Sequence, residues 1–275
     1  MKILVFGDGW MSNKFISKYP DEAVLTTVDA TDPQAVANIL DDIDPDCVLN
    51  GAGITGQPNV DWCETNQLAT AVGNTLLPLV LARACGERAM HFTHLGSGCI
   101  FYGDSPTPGG WKEYDYPNPV AYYSKTKAAA DMVLGNMPNV AVVRLRLPMD
   151  SRPSPKNTIT KLANYPKIVD VANSITVVED LLDVLHQVMD KRATGIFHAV
   201  NPEPLAYRDL MKWYEEIVDP DHHNEWVNED ELLASGSIAK KRSSCLLAGT
   251  RLAEFGIEMR HTEDAIKECL RAYRA

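Results

Sequence analysis

Short β-rich apolar runs alternating with helix-patterned stretches predict an α/β fold: a doubly wound parallel sheet with a smaller C-terminal lobe. Two features of the chain point the same way. The first strand runs directly into a glycine-rich turn and a helix, and later strands end in small residues, where a parallel sheet opens its ligand crevice. The 275 residues, 45% of them hydrophobic, are enough for one large domain or a domain with a smaller lobe.

Residues 2–6 read as a buried strand. Gly7-Asp8-Gly9-Trp10-Met11-Ser12 follows, a Gly-x-Gly-x-x-Gly pattern with Ser12 in the last place, and then a helix through Tyr19. In this strand–turn–helix context Gly7 allows a tight turn. Gly9, with Trp10 and Met11, lets the pyrophosphate of a dinucleotide approach backbone N–H groups at the helix N-terminus, and Ser12 is small enough for close packing. A plain βα turn is the alternative. Residues 23–28 form a second strand with no acidic residue to grip a ribose 2′-hydroxyl. Asp29, just beyond, is a candidate neighbour of the adenine, whereas Asp32 before Pro33 reads as a helix N-cap. Lys14 is better read as solvated than as a 2′-phosphate ligand, so NADH and NADPH are not distinguished.

A helix over residues 34–42 leads to a third strand, 46–49, ending in Asn50-Gly51-Ala52-Gly53. Small residues there let a ligand approach the backbone, making Asn50, Ala52 and Gly53 cofactor candidates. The irregular loop 54–64 has a functional look, and Thr55, Gln57 and Asn59 line the expected cleft. A helix from about Thr65 to Ala84 carries Asn74 among apolar residues. That residue is either a satisfied structural group or a prop for the backbone beneath the next functional helix, at the cofactor site. A strand over 89–96 delivers Ser97 and Cys99 to the crevice.

Beyond a Pro/Gly-rich loop lies Ala121-Tyr122-Tyr123-Ser124-Lys125-Thr126-Lys127-Ala128. Tyr123 and Lys127 are one helical turn apart on one face. A phenol ordinarily ionises near pH ~10. An adjacent ammonium favours the phenolate, so the pair is suited to proton exchange with a carbonyl or alcohol. An exposed helix face would show the same spacing. Residues 140–146 form another strand, and the boundary is placed near 148: a dinucleotide-binding part, 1–148, and a substrate-binding lobe, 149–275, with elements returning to the first part. The lobe holds Lys156, Lys161 and Lys167, helices over 179–190 and 207–217, a strand over 195–199, and a terminal helix from 263 with Thr262 as N-cap.

Net charge is −11 and the longest basic run is Lys240-Lys241-Arg242, which argues against a nucleic-acid partner. Six cysteines without a Cys-x-x-Cys pair argue against a zinc site and a disulfide scaffold, and His222-His223 reads as a solvated loop, so no metal is expected. The N-terminal strand is too short for a signal-peptide core, and no apolar stretch approaches the ~20 residues of a membrane span. A cytoplasmic, reducing compartment is therefore expected.

Gly7-x-Gly9-x-x-Ser12, Asn50-Gly51-Ala52-Gly53, Ser97-Gly98-Cys99 and Tyr123-x-x-x-Lys127, in this order, resemble the extended short-chain dehydrogenase/reductase superfamily. Residues 55–64, 98–101, 123–128, 144–148, 159–161, 167–170 and 173–177 are similar more closely to the nucleotide-rhamnose synthase, or UDP-4-keto-6-deoxyglucose 3,5-epimerase/4-reductase, family. The chain departs from it in a shorter first turn, in Ser12 for glycine and in Ser97 for threonine. The resemblance implies a Rossmann-type fold, NADPH or NADH as cofactor, and a nucleotide-sugar substrate. It implies that Tyr123 is the acid of the 4-reduction, that Lys127 assists it and holds the nicotinamide ribose, and that Ser97 binds the substrate oxygen. Cys99 and Lys161 occupy the positions of the epimerase pair, with Lys161 a candidate to favour the Cys99 thiolate. A buried, inert cysteine is the alternative for Cys99. Asn173, Ser174 and Arg242 are candidates for gripping the nucleotide diphosphate. A homodimer is possible. A reductase without epimerase activity, and a non-catalytic dinucleotide-binding subunit, stay open beside the bifunctional enzyme.

Overall fold

The computed structural model describes residues 1–273 apart from Pro58 and residues 237–242. Its first half alternates β1 (Ile3–Phe6), α1 (Trp10–Lys18), β2 (Ala23–Thr26), α2 (Pro33–Ile43), β3 (Cys47–Asn50), the short α3 (Trp62–Thr65), α4 (Gln67–Ala71), a π turn (Val72–Leu76), α5 (Leu77–Gly86), β4 (His91–Ser97), α6 (Tyr122–Leu134) and β5 (Val140–Leu145). The rest runs β6 (Pro148–Met149), α7 (Thr158–Asn164), β7 (Lys167–Val169), β8 (Ala172–Asn173), β9 (Thr176–Val177), α8 (Val178–Asp190), β10 (Gly195–Ala199), β11 (Leu205–Ala206), α9 (Tyr207–Ile217), β12 (Glu225–Val227), α10 (Glu229–Ala234) and α11 (Thr262–Ala272).

Six parallel strands form the central sheet in the order β10-β5-β4-β3-β1-β2. Strand order reverses between β1 and β3, and the crevice of such a sheet opens at that point, beyond the carboxyl ends of the strands. Side-chain alternation supplies both faces. Ile3, Val5, Leu49, Ala141 and Val143 face α1 and α8, while Leu4, Phe6, Val48, Val140 and Val142 face α2, α5 and α6. A third apolar cluster joins Ile159, Ile168, Ile175, Leu210, Ile266 and Leu270 in the C-terminal half.

Two sequence expectations need correction. Gln67–Gly86 is a continuous helical segment long and apolar enough, by length and composition, to cross a membrane. In this fold it covers the sheet, with Leu81 and Cys85 fully buried and Thr70 and Asn74 inside hydrogen-bonded contacts. At the last helix the cap is His261, not Thr262: the Thr262 hydroxyl instead donates to the carbonyls of Pro202 and Glu203. Asp32 does cap α2, accepting from Gln34 N (2.9 Å) and Ala35 N (3.2 Å).

α6 is fixed from three sides. Its first N–H, from Tyr122, donates to Glu64 Oε1 at 2.9 Å, since Ala121 offers no side-chain cap. Thr75 Oγ1 donates to Thr126 O at 2.8 Å. Arg144 Nε of β5 donates to Asp131 Oδ2 at 2.8 Å inside the core, while Arg144 Nη1 donates to Glu113 O. Burial pushes the Asp131 carboxyl up, opposed by Arg144. Removing one partner of a buried pair strands the other charge. Asp131→Leu is therefore expected to cost about 3–5 kcal/mol of unfolding free energy. Urea titration of the two proteins checks this, and a loss below about 1 kcal/mol would mean that the pair does not anchor α6.

Candidate active site

Gly7 takes a left-handed backbone (φ +93°), and a Cβ there would lie 2.6 Å from Ala52 backbone atoms. The first turn and the β3 loop therefore approach each other more closely than a side chain permits. A Cβ on Gly51 would meet Ser12 Oγ, so small residues are needed at both places. Gly9 caps α1 without any side-chain acceptor, leaving the helix N-terminus available to a phosphate. Beyond it lies a crevice of about 190 Å³ that brings together Gly9, Trp10, Met11, Ala52, Gly53, Thr55, Asn74, Ser97, Tyr123 and Lys127, with the exposed Lys156 at its edge. The glycine turn and the uncapped helix end fit the pyrophosphate of a dinucleotide.

Other predicted residues support this crevice from behind or stand apart from it. Ser12 is buried and its hydroxyl has no partner among the described residues. Asn74, on the π turn, holds the β3 loop through Ile54 N (2.8 Å) and Ile54 O (2.9 Å) and donates to Thr126 Oγ1 at 3.2 Å. Asp29 turns back on Thr31, which donates to it from N (2.9 Å) and Oγ1 (2.7 Å), and these bonds hold its carboxyl below the usual range. Lys14 is paired with the buried Asp150 at 2.5 Å rather than solvated.

Asn50 leads to a residue that sequence reasoning passed over. Ala52 N donates to Asn50 Oδ1 (3.0 Å), which fixes the amide's orientation, so Nδ2 donates to His94 Nδ1 (3.0 Å). Burial holds His94 neutral, its pKa well below the ordinary imidazole value. Its one proton therefore sits on Nε2, which faces Lys127 Nζ at 3.3 Å. Lys127 also donates to Leu95 O at 2.7 Å. Burial pulls the Lys127 pKa down to about 8, partly offset by Asp131, and a donor aimed at the amine acts in the same direction as burial.

Tyr123 differs from expectation. Burial pushes its phenol up, and the nearby Cys99 adds to this, while a hydrogen bond with Ser97 opposes it. The proton therefore stays on the phenol, as an acid requires. Ser97 Oγ also accepts from Cys99 N at 3.2 Å, fixing the turn that carries the cysteine.

Cys99 is half-buried, and the other five cysteines are buried. Arg146 Nη1, not Lys161, donates to its sulfur, at 2.9 Å. Lys161 lies within electrostatic range of Cys99, and burial lowers its pKa. A second cavity, of about 420 Å³, is lined by Asn59, Tyr165, Lys167, Asn173, Tyr207 and Ser243 among others. Asn173 Oδ1 is occupied by Arg146 Nη2 (2.7 Å) and Cys245 N (3.1 Å), and Ser174 Oγ accepts from Leu247 N (2.8 Å), so both act as internal supports. Thr55 and Gln57 are exposed, with Gln57 outside both cavities. Arg242 lies outside the described residues. Among the described residues no group of three or more His, Cys, Asp or Glu could hold a metal.

A parallel sheet with a glycine turn at its switch point and Ser97, Tyr123 and Lys127 beside it defines a short-chain dehydrogenase/reductase of the extended, Rossmann-type class. The RmlD substrate binding domain family model matches residues 1–275, and the chain belongs to that family, an NAD(P)H-dependent branch of the class. It is 36% identical over 86% of its length to a bifunctional dTDP-4-dehydrorhamnose 3,5-epimerase/dTDP-4-dehydrorhamnose reductase from Arabidopsis thaliana, covering 80% of that protein. It spans only 34–42% of the trifunctional Arabidopsis thaliana relatives that it matches. The crystal structure of the L780 UDP-rhamnose synthase from Acanthamoeba polyphaga mimivirus superposes with a TM-score of 0.91 at 26% identity, over 99% of each chain. A dTDP-4-dehydrorhamnose reductase from Bacillus anthracis, in complex with NADP, shares the fold (TM-score 0.82, 20% identity, 98% of each chain).

Reduction is expected to need the Lys127 ammonium. Because its folded pKa lies at about 8, that charge is present below this pH and lost above it. The kcat/KM for reduction should hold level to about pH 8 and then fall. Replacing the His94 donor, His94→Phe, should move the falling limb to higher pH. An unmoved limb in a pH–rate profile would remove His94 from the network.

Proposed function

We propose that the protein is a bifunctional 3,5-epimerase/4-reductase that converts a nucleoside-diphosphate 4-keto-6-deoxyglucose, UDP-linked, to the L-rhamnose nucleotide. What supports this reading is Cys99, the one cysteine that is not buried, on the turn anchored by Ser97 Oγ, together with the bifunctional epimerase/reductase name of the 36% identical Arabidopsis thaliana relative. A 4-reductase alone needs only Ser97, Tyr123 and Lys127.

Residues 1–148 would hold the dinucleotide, with Gly7, Gly9, Trp10 and Met11 at the pyrophosphate and Lys127 at the nicotinamide ribose. Residues 149–275 would hold the sugar nucleotide, whose nucleotide end fits the cavity at Asn59, Tyr165 and Tyr207. NAD(P)H, when bound, supplies the hydride for C4. Tyr123 donates its proton to the developing C4 alkoxide, the Lys127 ammonium stabilises the phenolate left behind, and Ser97 hydrogen-bonds the same oxygen. The C4 ketone acidifies the hydrogens on C3 and C5. Cys99 takes a proton from one face of the ring and Lys161 returns one to the other, inverting each centre in turn.

Incubation with the UDP-linked keto-sugar and NADPH in heavy water tests both halves. The expected product carries deuterium at C3 and C5 by NMR, and Cys99→Ser and Lys161→Met lose that label. Tyr123→Phe should slow NADPH oxidation by about 10²–10⁴-fold. Product reduced at C4 but unlabelled at both carbons would leave a reductase only.

A further inference from the structure

We propose that Arg146 is a third residue of the epimerase half, a positioning residue whose guanidinium holds the Cys99 sulfur and stabilises the charge it carries as the C3 or C5 proton is exchanged. This rests on the epimerase reading above.

Arg146 follows the last residue of β5 and is 1% exposed. A buried guanidinium costs free energy unless a negative group pairs with it. Arg144, two residues earlier, meets that need with Asp131. Arg146 has no carboxylate partner among the described residues. Nη1 donates to Cys99 Sγ at 2.9 Å, Nη2 donates to Asn173 Oδ1 at 2.7 Å and to Ser243 O, and Nε has no partner. Two other acids act electrostatically on it, Cys245 and Tyr207. Burial pushes the Tyr207 phenol up to about 12 and raises the Cys245 thiol, so both keep their protons. Cys99 touches the guanidinium directly, and it alone of the cysteines is not buried.

The other end of the fork is held by Asn173 Oδ1, which also accepts from Cys245 N at 3.1 Å. The chemistry balances without an added reagent. A bond forms between sulfur and the substrate hydrogen, the C–H bond breaks, and its electron pair passes to the C4 oxygen as an enolate. Carbon then recovers a proton from the Lys161 ammonium as that N–H bond breaks, and the thiol and amine return to thiolate and ammonium by proton transfer. Arg146 keeps its own protons throughout.

The test is iodoacetamide labelling of Cys99 in the full chain without sugar, followed by peptide mass spectrometry from pH 5 to 10. Against wild type, Arg146→Gln should label about tenfold more slowly at pH 7. Arg146→Lys, which keeps a charge, should fall between them. Superimposable curves for wild type and Arg146→Gln would overturn the proposal. Circular dichroism verifies folding. Should the glutamine variant not fold, Arg146→Lys decides: slower labelling than wild type is expected, and a curve superimposable on that of wild type would refute the assignment. Because labelling needs no substrate, Arg146-dependent labelling without deuterium incorporation would sink the epimerase reading and leave the ion pair standing.

Discussion

Three cations, Lys127, Arg144 and Arg146, lie in the protein interior beneath the crevice, each less than a tenth exposed, and the need to satisfy them organises the site. Each is solved differently. Arg144 has a carboxylate, Asp131, and their pair ties α6 to β5. Lys127 donates to the carbonyl of Leu95 and has Asp131 within electrostatic reach, but burial dominates and pulls its pKa down to about 8. Arg146 has an amide oxygen, a carbonyl and the sulfur of Cys99. Arg144 has a carboxylate partner, and the other two have none at hydrogen-bond distance among the described residues. Under-compensated charge is suited to stabilising charge that develops in a bound substrate.

The same economy explains the loops. Glu64 closes the start of α6 from 58 residues away, and Asn74 holds the loop after β3 from 20 residues away, so the residues around the crevice are positioned by side chains distant in sequence. Tyr123, Ser97 and Cys99 then come to one place through a helix, a strand end and a short turn whose backbone is anchored by Ser97 itself. Rigid supports of this kind are what catalytic geometry requires.

Much of the sheet was legible in the chain. β1 and the turn after it, the helix Tyr207–Ile217 and the strand Gly195–Ala199 declared themselves by apolar period, glycine and amphipathic spacing. The two- and three-residue strands β6, β7, β8, β9, β11 and β12 carry no period to read, and their pairing depends on the tertiary fold. Site chemistry was legible where a motif carried it, as at Tyr123 and Lys127. Arg146 and His94 were not, because each gains its meaning from a partner more than 30 residues away, Cys99 for one and Lys127 for the other. The direction of the Tyr123 shift is not legible for the same reason: spacing announces Lys127, while the burial that raises the phenol is a property of the folded site.

The account stands or falls on one sugar ring being held between a sulfur and an amine. A crystal structure with NADP and the UDP-sugar product measures this directly. Cys99 Sγ and Lys161 Nζ should lie on opposite faces of the ring, with O4 in hydrogen-bond reach of Tyr123. A ring bound with Cys99 packed away from it, or with Lys161 directed to solvent, would contradict the account.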